Sequence, residues 1–518
     1  MGRVITVVID TLSSGAMLAV RLKEQGYDVV RVWSRDFPPT LKGFVPEGAK
    51  CLADMETLDH KGNVEATAKA LSAIGQVRSV MAGCETGVEL QDQLADYLNL
   101  RRNDPALTEA RTNKRPMAEA VRRAGVRAVR QRYCAKGADV KDFIREEYDG
   151  SFPTTGVVVK PCNSAGSDSV FMCPDIEGAI AGVNAIIGEE NALGLKNAGC
   201  LVQELLVGTE YVVDTVNRDG VHKVVAIWSY DKRPCNGAAF VYFGMRILDM
   251  TDPAAQVLVP YTLAVLDALK VHNGPVHAEV MLTPTGPCLI EVNCRIHGAE
   301  GVWERLAQQT LGMNQIQGTV DCNADDPAAF NQYPMVPKNC KQHGMIVKLR
   351  TEHPRGALAG FEFGWVEKLP SYFDRFIISK AGDVLNPTTD LLTCPGEIHL
   401  AHSNKAQVEK DYAELHSKME SLYRWSSTEA VPLPEAKPNL FRVLLQKLIT
   451  ICAPRRLEAR TPRTQRRVGI PMSPMPASRK SSSHTMSPLQ KTWASPIIVS
   501  KKPDQDVLEF RLEIADGQ

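Results

Sequence analysis

A pair of glutamates constrains this chain more than any other feature. Gly274 to Gly301 reads GPVHAEVMLTPTGPCLIEVNCRIHGAEG. Val276, Ala278, Val280 and Leu282 alternate with His277, Glu279 and Met281. Beyond Pro284-Thr285-Gly286, Ile290, Val292 and Cys294 alternate with Glu291, Asn293 and Arg295. Period-two alternation around a Gly-containing three-residue loop predicts a β-hairpin. With Thr283 opposite Pro287, Glu279 faces Glu291, and Asn293 and Arg295 follow on the same face. Like charges facing each other across strands destabilise a sheet. A hard cation, Mg2+ or Mn2+, held by oxygens of Glu279, Glu291 and Asn293 relieves that repulsion. Arg295 then stands where it can hold an anion beside the metal. The plainer alternative is a solvated polar face.

The rest of the chain narrows the setting. At 518 residues it has room for about three domains at roughly 150 residues each. Lys plus Arg and Asp plus Glu both total 60, so net charge gives no case for nucleic acid or membrane. The 13 cysteines are scattered without paired spacing, and no signal peptide is evident, which predicts a reducing, cytoplasmic setting. No apolar run reaches the roughly 18 residues of a membrane span.

In chain order, the apolar run VITVVI at Val4 to Ile9 predicts a buried parallel strand. A helix from Ala16 to Gln25, a strand from Tyr27 to Val32, helices Val64 to Ile74 and Val88 to Leu98, and a strand Val77 to Ala82 complete a βαβ pattern. It lacks G-x-G-x-x-G, which argues against dinucleotide binding. Glu85 follows a strand end, where open α/β sheets place ligands, although a loop acid there is more often a helix N-terminal charge. A helix is predicted from Leu107 to Ala124 with Lys114 inside it. Strand Gly156 to Lys160 leads into a loop of small residues, Pro161 to Asp168, whose amides and hydroxyls suit phosphate oxygens. CLVQELLV, Cys200 to Val207, is a strand that ends at a hinge. Tyr230 to Pro234 is a charged loop, Asp252-Pro253 opens a long helix, and a further helix is predicted from Lys405 to Tyr423. Asn439 to Cys452 is an amphipathic helix candidate. Between Ala453 and Lys502, eleven Lys or Arg face one acid, Glu458, among many Ser and Pro, the composition of a disordered basic tail.

Taken in order, these pieces resemble the ATP-grasp superfamily, specifically its carboxylate–amine ligases of the L-amino-acid ligase and biotin carboxylase-like type. The resemblance spans residues 1 to 425 and rests on VVVKP with its small-residue loop, QELLVGTEY and the E-x-N-x-R hairpin. It implies an α/β fold: a Rossmann-like N-terminal domain over 1–106, an ATP-grasp lid over 107–203 and a catalytic region over 204–330. An α/β subdomain over 331–425 follows, and then the amphipathic segment and disordered basic tail of 426–518. Lys114 and Lys160 resemble the lysines that reach the nucleotide phosphates. Ser164, Ala165, Gly166 and Ser167 resemble the loop that closes on them. Glu204, Leu205 and Leu206 resemble the adenine-binding hinge, and Glu210 the acid on the ribose. Glu279, Glu291 and Asn293 resemble the Mg2+ (or Mn2+) ligands, and Arg295, with Lys160, the catalytic cations at the transferred phosphoryl group.

The resemblance implies an ATP-dependent ligase that converts a carboxylate, as of an amino acid, into an acyl phosphate and joins it to an amine. Glu85, Lys232, Arg233, His297 and Gly298 are the expected contacts to these small-molecule substrates. Two other readings stand beside it: a bicarbonate-using carboxylase or carbamoyl-phosphate-type enzyme, and a nucleotide-binding scaffold whose basic tail recruits a partner. A homodimer is the expected assembly for such ligases, and Cys294-x-x-His297 lacks the second pair a zinc site needs.

Overall fold

The computed structural model describes residues 2–37, 49–164, 169–191, 195–391 and 393–426, and two short strands further on. The chain divides into units of residues 1–448 and 449–518. In the second, Ile498–Ser500 pairs antiparallel with Glu509–Arg511. The proposed amphipathic helix and the rest of the basic tail lie outside the described residues.

The first unit begins with a four-stranded parallel sheet ordered Thr57–Asp59, Val29–Trp33, Val4–Ile9, Gln76–Ala82. Ile5, Val7 and Ile9 are buried in the cluster on one side, and Val8 in a different one. Burial on both faces explains why this strand reads as an unbroken apolar run. Helices Ser14–Glu24 and Val64–Ile74 join strands of this sheet, and Val88–Tyr97 follows its last strand.

A second sheet, ordered Gln131–Cys134, Cys200–Glu204, Val157–Pro161, Phe171–Cys173, is antiparallel. Helices Asp139–Glu147 and Ile176–Ile186 cover it, burying Phe143, Ile144, Val183 and Ile186 against Val157 and Val159. Asp175 caps the second helix by accepting from the Gly178 N–H.

The third sheet has eight strands, all antiparallel. Its order is Gly286–Asn293, Gly274–Thr283, Thr209–Arg218, Val221–Cys235, Ala238–Leu248, His343–Lys348, Gly396–His402, Tyr372–Ile377. The strands come from both sides of residue 330. Helix Pro253–Ala268, capped by Asp252, packs against the hairpin end. A three-stranded sheet of Val384–Leu385, Gly356–Phe361 and Tyr423–Trp425 closes the described part of the unit. Among the described residues no helix is long and apolar enough to cross a membrane.

Three local expectations need correction. The helix expected over 107–124 is broken: Thr108–Thr112 and Lys114–Arg123 are separate, and Asn113 between them is extended, its side chain accepting from the Arg115 N–H. Lys114 is therefore the first residue of a helix rather than an interior one. Tyr230 to Pro234 is no loop but part of the long strand Val221–Cys235, because its charges find partners within the sheet. The helix expected from Lys405 to Tyr423 ends at Ser417.

Candidate functional site

The hairpin reaches the expected pairing by a different route. Its turn is two residues, Pro284 and Thr285, with Thr283 opposite Gly286, and Gly286 takes φ 104°, open to glycine at little cost. That register alone would misalign the two acids by one residue. The ladder slips between Glu279 and Val280, leaving Ile290 as an extra residue, and from there Glu279 pairs with Glu291 and His277 with Asn293. A bulge of this kind re-aims side chains where a site needs them.

The hairpin forms one wall of a cavity of about 380 Å³. Lys114, Lys160, Glu210, Glu279, Glu291 and Arg295 all line it. Leu205, Leu206, Met281 and Leu289 supply its apolar end. The second sheet contributes Lys160 from Val157–Pro161 and Glu204 from Cys200–Glu204, so two sheets face each other across the space. Gly208 lies between them, and a Cβ there would stand 2.1 Å from the Leu282 carbonyl oxygen.

The charges inside are arranged in pairs. Lys114 forms an ion pair with Glu291 and donates to the Ser164 carbonyl at 2.9 Å. Lys232 donates to Glu210 at 2.6 Å, its ammonium 4.3 Å from the centre of the Tyr242 ring. Arg295 lies 3.3 Å from Glu85 and donates to the Asn293 side-chain oxygen, also at 3.3 Å. Among the described residues Lys160 has no carboxylate within ion-pair distance. Its burial, with the Lys114 cation as a second cause, lowers it to about 8. Burial also raises Glu210 and Glu85, each against the pull of its own cation.

Behind Glu279 lies a network that the sequence reading missed. Asp214, fully buried, accepts from Trp228 Nε1 at 2.9 Å, and His277 Nδ1 and His297 Nδ1 each sit 3.0 Å from its oxygens. His277 Nε2 is 3.2 Å from Glu279. Burial opposes charge on His277, but hydrogen bonds to Asp214 and Glu279 outweigh it and raise the ring to about 9. Burial likewise opposes charge on Glu279, yet the His277 hydrogen bond holds it down at about 2. His297 goes the other way, to about 4, through burial and the neighbouring His277 charge. The ligand-type atoms of Asp214, His277 and His297 lie within 4.8 Å of one another, but the ring-to-carboxylate distances are those of hydrogen bonds. Strand alternation placed His277 beside Glu279 in the sequence; nothing there linked it to Asp214.

Of the expected substrate contacts, Glu85, Lys232, His297 and Gly298 are at or beside the cavity. Arg233 is not. It pairs with Asp231 and stacks 4.7 Å over Phe243, because successive residues of a strand point to opposite faces and Lys232 takes the inward one. Ser164 lines the cavity, whereas Ala165, Gly166 and Ser167 lie outside the described residues.

Comparison with known proteins converges on one family. The ATP-grasp domain model matches residues 153–302. Dapdiamide A synthase of Enterobacter agglomerans is 29% identical over 423 residues, which is 81% of this chain and 96% of that protein. Phosphoribosylamine–glycine ligase of Rhodopirellula baltica is 23% identical over 301 residues, 55% of this chain and 67% of its own. Among solved structures, the L-amino acid ligase from Bacillus licheniformis matches with a TM-score of 0.61 at 18% identity, covering 80% of this chain and 97% of that one.

Proposed function

The chain belongs to the ATP-grasp superfamily, among its carboxylate–amine ligases, and from that premise we infer how its cavity works. It activates a carboxylate, that of an amino acid, as an acyl phosphate with ATP and joins it to an amine, releasing ADP and phosphate. The observation that carries the reading is the convergence of Lys114, Lys160, Glu279, Glu291 and Arg295 on one cavity between two sheets.

On this reading residues 107–203 are the lid, 204–330 the catalytic region, 1–106 a Rossmann-like domain and 331–425 a supporting subdomain. Adenine takes the apolar end, against Leu205 and Leu206, with Glu204 at the strand terminus. Glu210 turns from Lys232 to the ribose hydroxyls. Lys160, buried and, among the described residues, without a carboxylate partner, is a fixed cation for phosphate oxygens, and Lys114 joins it on release from Glu291. The loop from Ser164 through Ser167 closes on the phosphates.

The donor set suits Mg2+ or Mn2+. Glu279, Glu291 and Asn293 offer only oxygen ligands, and His277 holds Glu279 ionised. Such an ion, when bound, neutralises phosphate oxygens. Arg295 holds the transferred phosphoryl group and the acyl phosphate. A carboxylate is a poor acylating agent because oxide is a poor leaving group; phosphate departs readily once the amine has added. The chain's contribution is positioning and electrostatic stabilisation. The twelve described cysteines are all free, which supports a reducing compartment such as the cytoplasm.

The test is ADP and phosphate release from the purified chain across a matrix of amino acids, other carboxylates and amines. Release should require one acid and one amine together. Release driven by bicarbonate without an amino acid would favour a carboxylase, and nucleotide binding with no turnover a scaffold.

A further inference from the structure

The four-stranded parallel sheet ends against the segment that carries Arg295. Its strand order reverses between Val4–Ile9 and Gln76–Ala82, the place where open α/β sheets ordinarily leave a ligand crevice. Here backbone packed on backbone fills it. A Cβ on Gly15 would stand 2.4 Å from the Gly83 carbonyl oxygen, and one on Gly83 would stand 2.5 Å from that of Asp10. Thr86 Oγ1 and Ser34 Oγ each donate to Asp10 at 2.6 Å, and Asp10 and Ser13 hold left-handed backbone, φ 54° and 50°. Outside glycine, such backbone persists only where its surroundings over-determine it. The loops after the two strands form one fixed block.

That block holds Arg295 and the turn behind it. Ser14, buried, donates through Oγ to the His297 and Gly298 carbonyls at 2.5 and 2.9 Å. Ser13 Oγ accepts the Glu300 N–H at 3.0 Å. Glu85, from the second loop, places Oε2 3.3 Å from Arg295 Nε, and Arg295 is the charge that acts on it most strongly. The other guanidinium nitrogens are engaged as well: Nη1 donates to the Ile296 carbonyl at 3.0 Å and Nη2 to Asn293 Oδ1 at 3.3 Å. A guanidinium carries five donors in one plane, so these contacts fix the plane and leave donors for a phosphoryl group. Arg295 lines the cavity, whereas Glu85 is not among the lining residues. The carboxylate stands behind the arginine.

We infer that the N-terminal sheet is the mount of Arg295 and that Glu85 is a positioning residue, acting on the reaction through Arg295 and touching neither acid nor amine. This rests on the ligase reading above. An arginine held in one plane meets the transferred phosphoryl group without reorganising, and one free to swing does not. Loss of the mount therefore slows the step that Arg295 serves and leaves nucleotide binding at Lys114 and Lys160 intact.

Steady-state kinetics of the full chain test this, with the amino acid and amine that the wild type uses fastest in the matrix above. Glu85→Gln should lower kcat by about tenfold to 100-fold, the scale of a misplaced catalytic group, with the KM values for ATP, acid and amine unchanged. Wild-type kcat overturns the inference, and so does a raised KM for acid or amine, the mark of direct contact. Hydroxylamine separates positioning from proton removal, because it is an uncharged nucleophile at neutral pH and attacks without a base. ADP release by Glu85→Gln should stay as depressed with hydroxylamine as with the amine; recovery to the wild-type rate overturns the inference. If Glu85→Gln loses its circular dichroism, Ser14→Ala decides. It takes the hydroxyl from the two carbonyls behind Arg295 and should lower kcat by about three- to tenfold, the scale of one hydrogen bond, at constant KM for ATP. Wild-type kcat there overturns the inference. A wild type that releases ADP with no acid–amine pair removes the ligase reading, and this inference with it; the outcomes above remove this inference alone.

Discussion

Lys114 and Glu291 form an ion pair across the cavity, and the same ammonium donates to the Ser164 carbonyl at 2.9 Å. One group is the proposed phosphate cation and the other the proposed metal ligand, so each occupies the other's place until a metal–nucleotide separates them. The pairing leaves neither of these two buried charges without a partner.

Glu291→Gln keeps the size of the side chain but removes its charge. Turnover should fall by about 100-fold or more, the scale of losing one fixed electrostatic contact to the transition state. The circular dichroism spectrum should not change. Wild-type ADP release from this variant would sink the assignment of Glu291.

Lys160 gives a pH signature. Its ammonium is held down to about 8 by burial and Lys114, well below the ordinary lysine value. Phosphate binding needs the charged form, so ATP affinity should weaken as pH rises above about 8, by at most about tenfold per unit. Below that pH Lys160 is already charged and contributes no slope. Calorimetry in two buffers of different ionisation heat should detect proton uptake on binding at pH 9 and none at pH 7. Lys160→Arg, charged throughout, should flatten the profile. A flat wild-type profile would show that Lys160 does not meet the phosphates.

How much of this was legible in the sequence follows from which interactions are local. Period-two alternation showed the hairpin and its facing acids, and the apolar run at Val4 showed a strand buried on both faces. The bulge at Ile290 was invisible, because a two-residue turn plus one extra residue yields the same pairing of Glu279 with Glu291 as a three-residue loop. The break at Asn113 was missed because helix periodicity continues across it; only the side-chain cap reveals it. Asp214 was hidden for a different reason. Its partners His277 and His297 come from 63 and 83 residues away, so no local pattern joins them. Alternation also carries the Arg233 error: read as a loop, Lys232 and Arg233 look equivalent, whereas in a strand only one can face the cavity.

That distinction can be measured. Lys232→Met should strand Glu210 without its cation and raise the KM for ATP by about tenfold, since a buried ion-pair partner is lost. Arg233→Met removes a half-exposed pair with Asp231 worth about 0–1 kcal/mol. Its kinetic constants should match the wild type. A large loss in Arg233→Met, with Lys232→Met silent, would reverse the assignment.

The Asp214 network should set a stability maximum in pH. His297 is lowered to about 4 from an ordinary 6.5, so the unfolded chain binds the extra proton between those values and stability rises with pH up to about 6.5. His277 is raised to about 9, so here the folded chain binds the extra proton. Its contribution is fully present below about 6.5 and is lost as pH rises through about 9, by about 3 kcal/mol at 1.36 kcal/mol per pKa unit. Urea unfolding at fixed ionic strength, taken from pH 5 to 9 on the wild type and on His277→Gln, isolates the upper arm as the difference between the two curves. Groups outside the Asp214 network, Lys160 among them, cancel in that difference. It should shrink steadily above pH 6.5. A difference independent of pH would mean that His277 is not held charged between Asp214 and Glu279, and the account of how Glu279 stays ionised would fall with it.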